Sequence, residues 1–258
     1  MIDTLLSPEV WGSILVLSLA ALVQAAIGFG AALLSIPLLL WVGNDLMVSQ
    51  VLVFTAMMPQ NVLGFWRLRE NVTREDIVTP ALIRIAALPL GVLCLTYVLT
   101  WSPAQVNQLV GLLIFLAVVS QFFIGIEWRN ATRWYWMLVT FGGSGFLQGL
   151  SGMSGPPLVL WVHGQRFEAA KARAFLFAMY ISNFAPQLLI LWLRFGSAVW
   201  IAVGVAILSL PTVLLGAMLG LKVGQQIGER LRTISYVMLL GLAIFSLVSP
   251  WVREWFGV

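Results

Sequence analysis

Gln24, Gln148, Ser151 and Ser154 stand beside two glycine-marked interruptions in otherwise apolar sequence, and Ser35 follows about a turn after the first. Amides and hydroxyls donate and accept hydrogen bonds without carrying charge, so this set suits holding a small polar solute rather than breaking a bond. Gln60, Asn61, Asn183 and Gln187 lie inside the apolar runs that follow the interruptions. Polar side chains within such runs mark solute pathways, although they also bridge helices.

The interruptions are Gly28-Phe29-Gly30 and Gly152-Met153-Ser154-Gly155-Pro156. Glycine and proline there disfavour a continuous helix, and a new helix is expected near Ala31 and near Pro157, with Pro37, Pro156 and Pro157 marking the broken stretches. Each new helix would present unpaired N–H groups and partial positive charge to an anion. Two such ends brought together would make an anion site without any buried Lys or Arg. The carbonyl ends of the preceding helices would favour a cation instead, so these residues alone leave the sign of the solute open. The candidate binding set is Gln24, Gly28, Gly30, Ser35, Gln60, Asn61, Gln148, Ser151, Gly152, Ser154, Gly155, Asn183 and Gln187.

Two further side chains are candidates for gating. Arg84 falls about one helical turn inside its apolar run, where snorkelling to the membrane interface is the expected role. His163 ends the short second-half run, where an interfacial position is the expected role. One cysteine (Cys94) and one histidine leave no set for a disulfide, a haem or a zinc site, so no cofactor is expected. All ten Asp and Glu residues fall in termini or loops, which argues against a proton relay through a membrane acid. A membrane-embedded enzyme would need a nucleophile–base pair or metal cluster that this inventory does not supply.

These residues need elements to position them, and the composition says what those are. The chain has 258 residues, 60% apolar and 9% charged, whereas soluble domains carry about 25% charge. The expectation is an all-α polytopic membrane protein, with lipid as the solvent of its outer face. Apolar runs fall at 10–27, 31–43, 47–66, 79–99, 105–125, 134–150, 157–164, 174–193, 198–219 and 233–249, about ten helical segments. Runs 31–43 and 157–164 are too short to cross alone, since a spanning helix needs about 20 apolar residues. The N-terminal Met1–Glu9 stretch holds no Lys or Arg, so the first run is expected to be kept as a membrane segment rather than cleaved.

Landmarks recur in order along the chain. Gln24 matches Gln148, Pro37 to Val42 matches Pro157 to Val162, Phe54 matches Phe177, and Leu88-Pro89 matches Leu210-Pro211. Residues 1–126 and 127–258 are therefore read as two repeats, each a broken-helix hairpin plus three transmembrane helices. If each short run turns back at its break, Arg67, Arg69, Arg74, Arg129, Arg133, Arg166, Lys171, Arg173, Lys222, Arg230 and Arg232 gather on one face. Only Arg194 and Arg253 fall on the other. Basic loops stay cytoplasmic, which puts both termini outside the cell and makes the repeats inverted. Basic residues confined to loops leave no footprint for nucleic acid; the bilayer and a small anion are the expected partners, and a homodimer is compatible with the sequence.

The segments Gln24-Ala-Ala-Ile-Gly28-Phe-Gly30-Ala-Ala-Leu-Leu-Ser-Ile-Pro37 and Gly149-Leu-Ser-Gly152-Met-Ser-Gly155-Pro-Pro157 resemble the paired glycine-rich motifs of the TauE/SafE sulfite exporter family. The resemblance spans nearly the whole chain and includes the duplication. It implies a permease of the bacterial plasma (inner) membrane for sulfite, organosulfonates or related sulfur-containing small anions, bound near the midplane and moved by alternating access. Phe29 and Ala31 stand where further glycines often occur in the family. A carrier of another small anion or cation, and a membrane-embedded enzyme, are the alternatives.

Overall fold

The computed structural model describes residues 7–28, 30–122, 134–227 and 237–248, which form ten α-helices, with no strand among the described residues. Phe29, and Arg129, Arg133, Arg230, Arg232 and Arg253 of the loop charges, lie outside them. Helix α1 (Pro8–Ile27) opens on a proline, whose missing N–H costs nothing in a first turn. It stops at Gly28, where φ of 97° suits only glycine well and the glycine N–H reaches the Gln24 carbonyl at 2.7 Å. Gly30, also at φ 97°, starts α2 (Ala31–Val42). Twelve residues reach about 18 Å, well short of a ~30 Å hydrocarbon core. α2 turns back along α1: Asn44 Nδ2 donates to Ser13 Oγ at 2.9 Å, beside the start of α1. The first hairpin is thus the one expected, except that Pro37 lies inside a continuous α2 and breaks nothing. The glycines end the preceding helix, and a proline in the second turn of α2 only frees the Leu33 carbonyl.

α3 (Leu46–Leu68) is capped by Asp45, which accepts from the Val48 N–H at 2.7 Å, and ends in a short 3₁₀ turn, Arg69–Asn71. α4 (Arg74–Val98) begins with a capping box in which Thr73 and Asp76 each satisfy the other's backbone. That box starts the helix five residues ahead of the apolar run at 79, so Arg84 lies about 15 Å along its helix from Arg74 rather than one turn in. α5 (Pro103–Phe122) completes the first half. The second half repeats the plan in α6 (Trp134–Ser151), α7 (Gly155–Gly164), α8 (Ala169–Phe195), α9 (Ser197–Ile227) and α10 (Val237–Val248).

Helices α1, α3 with its 3₁₀ turn, α4, α8 and α9 are long and apolar enough to cross a bilayer. Their outward residues are apolar as well: Leu15, Leu93 and Leu193 are 63%, 61% and 72% exposed. A surface like this is stable against lipid tails and not against water. The most extensive packing joins α1 to α9 and α4 to α6, so the fourth helix of each half lies on the first helix of the other. Glycines permit both approaches. Gly145 and Gly149 sit against the backbone carbonyls of Arg84 and Leu88, and Gly216 and Gly220 against those of Ser18 and Leu22. α3 and α8 pack together between these pairs. At one end of the bundle Lys171 Nζ and Asp76 Oδ2 form a 3.0 Å ion pair, which places the 67–78 and 165–173 segments on the same face.

Candidate functional site

A cavity of about 70 Å³ lies between the two breaks and is walled by both. Gly30 and the first turn of α2 (Ala31, Ala32, Leu33) close one side, and Gly152, Ser154 and Gly155 close another. α3 contributes Phe54, Met57 and Asn61, and α8 contributes Tyr180, Phe184 and Gln187. Spacings of three and four put each trio on one face of its helix. Gln24 and Gln148 approach from the last turn of α1 and α6. At this volume the site fits a few heavy atoms and not a drug-sized ligand, which needs ~300 Å³ or more.

The amides form two related pairs. Gln24 Nε2 donates to Asn61 Oδ1 at 2.8 Å, and Gln148 Nε2 donates to Gln187 Oε1 at 2.6 Å. In both, the residue four before the glycine that ends a hairpin's first helix holds a residue deep in the third helix of the same half. Gln187 Nε2 also donates to the Gln148 carbonyl (3.2 Å) and towards Gln50 Oε1 (3.4 Å), and Gln50 Nε2 donates to the Leu150 carbonyl (2.9 Å). Two carbonyls of the last α6 turn, those of Gln148 and Leu150, are therefore taken by amide N–H groups.

Arg84 overturns the snorkelling expectation. It is fully buried, and its guanidinium donates through Nε to Ser144 Oγ (3.1 Å), through Nη2 to Ser154 Oγ (3.1 Å) and through Nη1 to the Met179 carbonyl. Ser144 Oγ in turn donates to the Ser154 carbonyl at 3.0 Å, so the α6–α7 break is held from both sides. Among the described residues Arg84 pairs with no carboxylate. The expected site without a buried cation is replaced by one with a cation immediately behind its wall.

The two helix ends are not equivalent. In α2 the N–H groups of Ala31, Ala32 and Leu33 have no intrahelical acceptor, and all three residues line the cavity. In α7 the second and third positions are Pro156 and Pro157, which have no N–H, so only Gly155 offers one. These prolines begin α7 rather than interrupt it.

Of the thirteen residues expected to bind, the cavity gathers eight: Gln24, Gly30, Asn61, Gln148, Gly152, Ser154, Gly155 and Gln187. The other five do not line it. Gly28 faces the Arg173 side chain, and Ser35 is fully buried with its hydroxyl on the Ala31 carbonyl at 2.7 Å. Ser151 Oγ donates to the Leu147 carbonyl at 3.1 Å, and Gln60 turns aside with its Oε1 buried and unpartnered. Asn183 is 1% exposed, and neither amide atom finds a partner. His163 is exposed at the far end of α7, away from the cavity. Sequence reasoning missed Gln50, Tyr180 and the aromatic and methionine walls. Gln50, Phe54, Met57 and Asn61 follow one helical stripe, which the glutamine at its head could have revealed.

A second cavity, about 370 Å³ and almost wholly apolar, opens between α5, α6 and α7, with Leu116, Trp136, Pro157 and Trp161 among its walls. Met153 borders both cavities. A family model described as Sulfite exporter TauE/SafE matches residues 13–246 of the chain. No curated protein and no solved structure matches it.

Proposed function

The chain belongs to the TauE/SafE sulfite exporter family, and from that membership we propose a plasma-membrane secondary transporter, an exporter or permease, for sulfite, an organosulfonate or a related small anion. The observation that carries this reading is the small cavity between two helix breaks, lined by α2 amides, Gln24, Gln148, Gln187 and Ser154, with no acid in its wall. Two of the α6 end carbonyls that would attract a cation, those of Gln148 and Leu150, are already bonded to Gln187 and Gln50. A carrier needs donors that hold its solute and release it, and neutral amides do both. The absence of an acid or histidine from the lining likewise favours transport over catalysis.

Residues 1–126 and 127–258 act in this reading as inverted repeats, and rocking of one hairpin against the other exposes the cavity to each side in turn. The recurrence of the Gln24–Asn61 pair as Gln148–Gln187 supports it, as does the exchange of α4 and α9 between halves. The face that carries the Asp76–Lys171 pair is the cytoplasmic one, since it bears the surplus of basic loop residues, and both termini lie outside.

The test is counterflow of labelled sulfite in proteoliposomes. Gln24→Ala combined with Gln148→Ala is expected to lower uptake efficiency about tenfold or more, since a lost hydrogen bond to a charged group costs roughly 1.5–3 kcal/mol. Undiminished counterflow in the double variant, or no counterflow of any anion by the native chain, rejects the assignment.

A further inference from the structure

We propose that Arg84 makes the cavity selective for a monovalent anion, as a positioning residue acting through the Ser154 hydroxyl. The inference rests on the carrier reading above and names the charge class of its solute.

Arg84 does not itself line the cavity, but Ser154 does, and Arg84 Nη2 donates to Ser154 Oγ at 3.1 Å. A serine hydroxyl has one proton to give, and accepting from a guanidinium makes it a better donor. The Ser144 hydroxyl on the Ser154 carbonyl holds the same residue from its other side, so the hydroxyl is fixed at the wall. This arrangement supplies what α7 lacks. Two prolines leave that helix end with the Gly155 N–H alone, whereas α2 brings three amides to the same space.

The charge count then sets valence. The cavity wall contains no Asp, Glu, Lys, Arg or His, and the three acceptors around Arg84 are neutral oxygens. The residue matched to Arg84 through Leu88-Pro89 and Leu210-Pro211 is Ala206, itself fully buried, and the second half's Arg173, which lies against Gly28 at the first break, is exposed, so neither adds a second buried charge. One buried positive charge without a counterion is costly in a low-dielectric interior, and one negative charge balances it. A dianion would leave an uncompensated negative charge in the same space.

Binding to the purified full chain in detergent separates these outcomes, by tryptophan-fluorescence titration and thermal shift with sodium methanesulfonate and sodium sulfate at matched ionic strength. Native protein is expected to bind the monoanion at least about tenfold more tightly than the dianion. Arg84→Lys should keep that preference. Arg84→Gln should weaken methanesulfonate binding about 10- to 100-fold and flatten the preference, and Ser154→Ala should weaken binding in the same direction. A purely structural arginine would lower thermal stability without changing the ratio between the two anions. Sulfate bound as tightly as methanesulfonate by the native chain overturns the proposal even where Arg84→Gln does not fold. An unchanged preference in a folded Arg84→Gln removes Arg84 from it and leaves the anion carrier standing. No binding of either anion by the native chain removes the carrier reading together with the inference.

Discussion

Asn183 is a buried amide held without a hydrogen-bond partner on a helix face whose neighbours Tyr180, Phe184 and Gln187 all reach the cavity. Leaving such a group unpaired costs roughly 1–3 kcal/mol. Asn183→Leu, close in volume and apolar, is therefore expected to raise thermal stability in detergent by a few degrees. Slower transport in the same variant would show that the amide is used in another stage of the cycle, and a fall in stability would contradict the account. Gln187→Ala is expected to do the opposite. It strips partners from Gln148 and from the α6 carbonyl end, and should cost both about 1–3 kcal/mol of stability and most of the sulfite counterflow. At this scale the sequence was legible wherever an amide interrupted an apolar run beside a glycine. The depth of Arg84 is hidden in the sequence because its helix starts at the polar Thr73–Asp76 box, ahead of the first apolar residue. Tyr180 and Phe184 gave no signal, since aromatic residues in a span look like core until a facing cavity is known.

The helices obey their end signals more faithfully than their apolar limits. Both short helices and both breaks fall where glycine placed them, and Gly152, at φ 72°, ends α6 as Gly28 ends α1. Pro37 and the Gly142-Gly143-Ser144-Gly145 stretch carry no such plain end signal. A proline inside a packed helix is tolerated by its neighbours, and only the third dimension says which glycine of a run faces another backbone. Gly145 does, against the Arg84 carbonyl, while Gly142 and Gly143 have open space around them. Gly145→Leu is accordingly expected to separate α4 from α6 and to lose about 1–3 kcal/mol or fail to assemble, with Gly142→Ala and Gly143→Ala close to native. Thermal unfolding monitored in one detergent for all three variants checks the contrast.

For the molecule as a whole, the Asp76–Lys171 pair fixes which loops share a face, and a topology experiment follows directly. In a Cys94→Ala background, single cysteines at Asn71 and Arg166 should react with a membrane-impermeant maleimide from the same side. Reaction from opposite sides would dismantle the two-hairpin plan. The pair itself is partly exposed and worth at most about 1 kcal/mol, so it can orient the two halves without holding them shut.

Met153 stands between the polar pocket and the apolar recess, its side chain bordering both. Shaving Met153 to alanine would join the two compartments, and short surfactants such as hexanesulfonate, head in the pocket and tail in the recess, should then block the route that they pass by in the native chain.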